Sequence, residues 1–241
     1  SSIKTGQALV GGTQADYGVW PWTVSICIWD WFGNCEYQSA GAIIDKNWVI
    51  TTISGIELAE VHATLRVRAG SINWNKNGQF IKVRQYFKPN DGSDIALLQL
   101  ESPLIFNDYT QPICLPFNDT DVVHAGGSAW FTSWGAIKPT LPTIQTNLQQ
   151  GRLSISNNSV CDGAIVKTNP VTQVCAGGYY VNGGTATCSF DIGGPLMQQR
   201  DGTWYLFGLS QTKNYAASNC KEASEYIRAD LYLNLYSSHR G

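Results

Sequence analysis

Histidine, methionine and charge are all scarce in this 241-residue chain: it has three His, one Met, and Asp, Glu, Lys and Arg together make only 14% of residues, against roughly 25% in an average soluble protein. Sixteen Lys plus Arg stand against eighteen Asp plus Glu with no basic run, so the electrostatic footprint for nucleic acid or an anionic membrane is missing. No apolar run approaches the roughly 20 residues a spanning helix needs. The opening SSIKTGQ has no signal-peptide character, so the chain reads as mature and soluble. None of the seven cysteines falls in a CxxC or other zinc-ligand spacing, which points to disulfides formed in an oxidising compartment and away from a metal or any other cofactor. A secreted, extracellular protein with one cysteine left over is the expectation.

What the chain does have is apolar and aromatic mass: 43% hydrophobic residues, with nine Trp and eleven Tyr, enough to fill a large core. The sequons Asn118-Asp119-Thr120 and Asn157-Asn158-Ser159 fit a glycoprotein on the secretory route. Short β-branched and aromatic runs (WTVSICIW, AGAIIDKNWVITT, ATLRVRAG, IALLQL, AWFTSW, WYLFGLS) recur between Gly, Asn, Asp and Pro clusters, the pattern of an all-β sandwich or barrel. Helical periodicity is confined to 229–238, where Leu231, Leu235 and Tyr236 can share a face. The segment FNDYTQPICLPFND at 106–119 reads as a connection between two halves.

Eight landmarks fall in one order: LVGG at 9–12, PWTVSI at 21–26, WVITTIS at 48–54, DIALLQL at 94–100, PICLP at 112–116, SWG at 133–135, CAGG at 175–178 and CSFDIGGPL at 188–196. In order and spacing they resemble the chymotrypsin-like serine proteases from Leu9 to the C-terminus. The resemblance implies two packed six-stranded antiparallel β-barrels, at about 20–110 and 120–228, with a C-terminal helix at about 229–238 and residues 1–8 as an uncleaved extension.

Chemistry in that family needs a hydroxyl nucleophile, an imidazole that takes its proton and a carboxylate that orients the imidazole. The resemblance puts the histidine position at Ser54, the aspartate at Asp94 and the serine at Ile192; only the aspartate is kept, and an isoleucine has no lone pair with which to attack a carbonyl. His62, His124 and His239 match no catalytic position. Phe190 stands where the family has an oxyanion-hole glycine, and a Phe there is expected to drive the loop to another conformation so that the N–H donors diverge. Ala186 replaces the acidic pocket base of trypsin-like relatives. Gln211, Thr212 and Lys213 align with the family's second SWG segment and Ser224 with a pocket-wall glycine, with Tyr215 or Lys213 expected over the pocket. The Gln7-Ala8 junction before LVGG offers no Lys or Arg to an activator, so a zymogen-like state is expected in which Asp191 finds a partner other than a new amino terminus.

By the same resemblance Cys161 pairs with Cys175 and Cys188 with Cys220, and Ser39 and Gly55 occupy the positions of an absent disulfide. Cys27 and Cys35 remain, flanking IWDWFGN in an expected hairpin, where a short closed loop would contribute roughly 2 to 3 kcal/mol. Cys114 is unpaired, with a bond to another chain as the alternative. At the hairpin, Trp29, Trp31 and Phe32 are candidate interface anchors.

These residues describe an inactive protease homologue that acts by binding an extracellular protein, with no nucleic acid or membrane as partner and an oligomeric state left open, a monomer included. Inactive relatives include cofactors of arthropod immune cascades, mite gut protease paralogues that interfere with complement, and vertebrate antimicrobial or carrier forms. The competing readings are a weak hydrolase with unorthodox residues and an assembly subunit linked through Cys114.

Overall fold

The computed structural model describes residues 9, 11–57, 64–116, 125–137, 143–162, 168–178, 185–211, 220 and 222–239. Thirteen strands are found among them: β1 (Thr13–Gln14), β2 (Thr23–Trp29), β3 (Cys35–Asp45), β4 (Trp48–Thr51), β5 (Thr64–Ala69), β6 (Gln79–Phe87), β7 (Ala96–Leu100), β8 (Ser128–Ser133), β9 (Gln149–Ser156), β10 (Gln173–Ala176), β11 (Pro195–Arg200), β12 (Thr203–Ser210) and β13 (Ser224–Arg228). The helix α1 (Leu233–His239) closes the chain.

Every strand pairing is antiparallel. The first barrel closes in the order β2-β3-β4-β7-β6-β5, with β5 returning to β2. The second runs β8-β9-β10-β13-β12-β11 and closes because β8 pairs with both β9 and β11, while β1 lies along the start of β9. In β5, TLRVRA alternates half-buried and buried residues, the two-residue period of a strand with one face inward. The β11–β12 hairpin turns through Asp201 and Gly202, both at positive φ (48° and 81°), the mirror-image turn that Asp-Gly favours.

Tryptophans join the barrels. Trp20 from the first barrel meets Trp204 and Trp130 of the second at centroid distances of 4.9 and 5.5 Å. Trp22 N–H donates to the Met197 sulfur at 2.7 Å, and the Thr23 and Thr132 hydroxyls share a hydrogen bond of 2.9 Å. One buried cluster consequently runs from Val24 and Ile26 across to Leu206, Leu209 and Ile227.

The C-terminal segment differs from the expected helix at 229–238. It begins with a 3-10 turn over Asp230–Tyr232, and the α-helix starts only at Leu233. Leu231 is exposed, whereas Tyr232, Leu233, Leu235 and Tyr236 pack on the core. The Tyr232 O–H bonds the Ser93 hydroxyl at 2.5 Å and the Tyr236 O–H donates to Asp45 at 3.1 Å, so the tyrosine tips select the buried face. His239 stacks on Phe87 at 4.1 Å, and its Nδ1 lies 2.8 Å from the Leu235 carbonyl oxygen.

Three disulfides are present, Cys27–Cys35, Cys161–Cys175 and Cys188–Cys220, and Cys114 is a free, exposed thiol. Residues 1–8, His62, Asn118, His124, Thr212, Lys213 and Tyr215 lie outside the described residues. Among the described residues no helix is long and apolar enough to cross a membrane.

Candidate functional site

The turn after β4 carries Ser54, and the approach to β7 carries Asp94. Because β4 and β7 are neighbours, with Thr51 opposite Ala96, residues distant in sequence arrive side by side. The Ser54 backbone N–H donates to one Asp94 oxygen at 2.7 Å and its hydroxyl donates to the other at 2.8 Å. Asp94 therefore grips Ser54 with both oxygens, in the geometry by which a carboxylate satisfies a turn. A third donor comes from the second barrel: Gln211 Nε2, 3.4 Å from Asp94. Gln211 in turn accepts from Gln173 at 2.6 Å, and Gln173 accepts the Asn169 N–H at 2.8 Å. The chain Ser54-Asp94-Gln211-Gln173 thus spans the two barrels. Ser54 and Asp94 are half-buried, at the wall of a groove of about 550 Å³ lined also by Ile53, Glu57 and Lys88.

Ile192 lies on the facing loop, half-buried. A β-carbon built on Gly55 would sit 3.1 Å from an Ile192 methyl and 2.7 Å from the Ser39 β-carbon. The loop of Ile192 therefore packs next to the Ser54 turn at Gly55, whereas the described residues lining the groove itself all belong to the first barrel, and the positions of the absent disulfide, 39 and 55, are in contact. A glycine is required at 55 because Ser39 and Ile192 already fill the space its side chain would take.

The loop before Ile192 departs from expectation. Phe190 does not escape the left-handed region: its φ is +70°, a conformation that costs a non-glycine residue about 1 to 2 kcal/mol. Its carbonyl explains why the loop stays put, since the Tyr37 hydroxyl donates to it at 3.3 Å and the Ser133 hydroxyl approaches at 3.4 Å. The residue is 36% exposed. The backbone is thus held in a glycine-like course with a Phe side chain on it.

Asp191 is fully buried. One carboxylate oxygen accepts the Cys188 N–H at 2.7 Å; the other is enclosed without a hydrogen bond of good geometry. Burial pushes its pKa up to about 7, against the opposing effect of donors from Cys188, Ser133 and Gly135. Tyr37 above it is also raised, chiefly by burial. A β-carbon at Gly135 would come within 2.1 Å of the Asp191 oxygen, so glycine at 135 is what allows the carboxyl to fit.

Ala186 is wholly buried. Beside it the Thr187 hydroxyl donates to Ser224 at 2.7 Å and the Tyr226 O–H reaches Thr187 at 3.4 Å. Ser224 is thereby engaged within the wall. Asn157 is exposed at the start of a 3-10 turn. Trp29 is half-buried against Phe80 at 5.5 Å, whereas Trp31 and Phe32 are 85% and 90% exposed; of the three candidate anchors only these two are free. Among the described residues no group of three or more His, Cys, Asp or Glu is arranged to hold a metal ion.

Sequence reasoning missed the roles of Gln211 and Gln173 as a strut between the barrels. A polar side chain at a strand end gives no signal of its partner, which here comes from another barrel.

Two closed antiparallel barrels joined by a shared core define a class, and the comparison with known proteins identifies it: the chain belongs to the trypsin-like serine protease family, whose profile, described as Trypsin, matches residues 9–235. It is similar to coagulation factor XI of Bos taurus, 32% identical over 221 residues, covering 87% of this chain and 34% of that protein. It is also similar to the serine proteinase stubble of Drosophila melanogaster, 32% identical over 221 residues, covering 83% of this chain and 27% of that protein. The chain spans about a third or less of the length of these relatives.

Proposed function

We propose that this chain is a secreted, proteolytically inactive member of its family that acts by binding an extracellular protein, as a modulator of host defence or of a protease cascade, or as a decoy. The observation that carries the reading is the double hydrogen bond from Ser54 to Asp94. Acyl transfer needs a base between carboxylate and nucleophile; here the carboxylate is engaged by a serine and a glutamine, and the residue at the nucleophile position is Ile192. Removing a triad elsewhere costs about six orders of magnitude in rate. Asp191 supports a zymogen-like state, since its nearest donors are backbone and hydroxyl groups of its own barrel.

The test is turnover of a panel of peptide and ester substrates by the purified chain. No hydrolysis above buffer is expected, and the double variant Ser54→His with Ile192→Ser is expected to recover little or none, because the altered pocket at Ala186, Gln211 and Ser224 remains. Robust wild-type turnover that disappears in Ser54→Ala or Asp94→Ala would overturn the reading and favour an unorthodox hydrolase. The exposed Cys114 thiol supports a second reading, a disulfide-linked subunit, which a mass measurement under non-reducing conditions separates from a monomer.

A further inference from the structure

Three adjacent strands of the first barrel, β2, β5 and β6, carry four of the chain's sixteen Lys and Arg (Arg66, Arg68, Lys82, Arg84) and none of its eighteen Asp and Glu. In a protein of net charge −2 this concentrates positive charge on one outer face. The register makes it costly: Arg66 stands directly opposite Lys82, and like charges paired across strands are destabilising. Glu101, beyond the sheet, offsets Lys82 at 3.5 Å. The Arg66 side chain makes no hydrogen bond or ion pair among the described residues, and its Nε is buried without a partner; the Arg68 Nε is likewise buried, while its Nη1 donates to the Asn77 carbonyl at 2.7 Å. Arg84 is exposed.

The cations are mounted on an aromatic base. Arg68 lies 4.2 Å and Arg66 5.9 Å from the centre of the Phe80 ring, and Trp29 packs against the same ring. Stacking fixes a guanidinium in plane; with each Nε buried and Arg68 Nη1 engaged by Asn77, the remaining terminal nitrogens are what is left for a carboxylate. From Trp29 the chain continues into the hairpin tip, where Trp31 and Phe32 stand out into solvent. The tip is braced by Cys27–Cys35 and by Asp30, which accepts the Phe32 and Asn34 N–H groups at 2.9 and 2.7 Å. Two exposed aromatics on a braced turn lose little freedom on binding, the property of interface anchors.

We propose that this face is a docking surface for an acidic, aromatic-containing segment of a partner protein: its carboxylates meet Arg66, Arg68 and Arg84, and its apolar side chains lie against Trp31 and Phe32. Charge complementarity selects an anionic occupant, and the contiguous aromatics select a peptide over a purely polyanionic chain. The inference extends the binding role proposed above to a named surface outside the Ser54–Asp94 cleft, and rests on that role but not on inactivity.

The probe is a synthetic twelve-residue peptide alternating Asp or Glu with Phe or Leu, titrated against the full chain by calorimetry and by tryptophan fluorescence. Controls are its Lys-substituted counterpart, an Asp/Gly peptide of equal charge, and a sulfated oligosaccharide. Saturable binding that weakens with salt is expected for the probe, falling at least tenfold in Arg66→Glu and in Arg84→Glu and severalfold in Trp31→Ser. Arg84 and Trp31 are exposed, so those variants keep the fold, as their melting curves check. Absence of saturable binding would overturn the proposal, as would binding indifferent to these variants. Tighter binding of the oligosaccharide with no dependence on Trp31 would also overturn it, in favour of a polyanion site. Hydrolysis measured in the same samples bears on the inactive reading alone, so the two can fail separately.

Discussion

At the scale of single residues, the cleft is defined by substitutions whose consequences differ in legibility. That Ile192 cannot act as a nucleophile is plain from its side chain. That Ser54 would fold its N–H and hydroxyl onto Asp94 is not, because the contact crosses forty residues and depends on β4 and β7 being paired. Phe190 shows the limit of propensity: a Phe disfavours positive φ, yet the loop holds it at +70°, since two hydroxyls on its carbonyl and the neighbouring Asp191 turn determine the backbone. Asp191 carries a testable pH dependence. Its folded pKa of about 7 lies above the unfolded value of roughly 3.9, so between those values the folded state holds a proton that the unfolded chain has released. The stabilisation is fully present below about pH 4 and is lost as pH rises through 7, a change of a few kcal/mol. Asp30 and Asp91, lowered chiefly by backbone hydrogen bonds from Asn34 and Ser93, titrate below that window. Urea midpoints measured from pH 4 to 8 are expected to fall with rising pH, and Asp191→Asn to flatten the slope. An unchanged midpoint would contradict the assignment.

At the scale of elements, strand patterning was readable wherever one face is solvated, as in β5, and less so in β2, where TVSICIW is buried at six of seven positions because the barrel interior covers one face and neighbouring loops the other. The β2–β3 hairpin is a unit whose brace can be removed. Replacing Cys27 and Cys35 together with Ser should cost roughly 2 to 3 kcal/mol by loop-closure entropy, and should raise hydrogen exchange at 29–35 while leaving the second barrel protected. Loss of protection throughout would show that the bridge supports more than its hairpin. The C-terminal helix was legible as an element, and Leu235 and Tyr236 pack on the core as periodicity expected, but its start and the place of Leu231 were not: the Tyr232 and Tyr236 hydroxyls found partners on Ser93 and Asp45, and Leu231 is exposed.

At the scale of the whole molecule, the barrels are not independent. The cluster containing Trp20, Trp22, Met197, Leu206 and Leu209 is continuous across their junction, so a single cooperative unfolding transition is expected. Trp22→Ala, which removes a buried indole and its contact to Met197, should cost about 3 to 5 kcal/mol and lower the melting of both barrels together. Calorimetry showing two transitions, with only one shifted, would refute that coupling. Family membership, the two-barrel architecture and the identities at 54, 94 and 192 were determined by the sequence itself, because landmark residues and strand runs are local and survive as a linear order. The hydrogen bonding of Asp94 by Ser54 and Gln211, the left-handed Phe190, the buried carboxyl at Asp191 and the cationic face of β5 and β6 were decided only by the tertiary structure. Each depends on which strands become neighbours and which side chains share a face, and that is set by closure of the barrels.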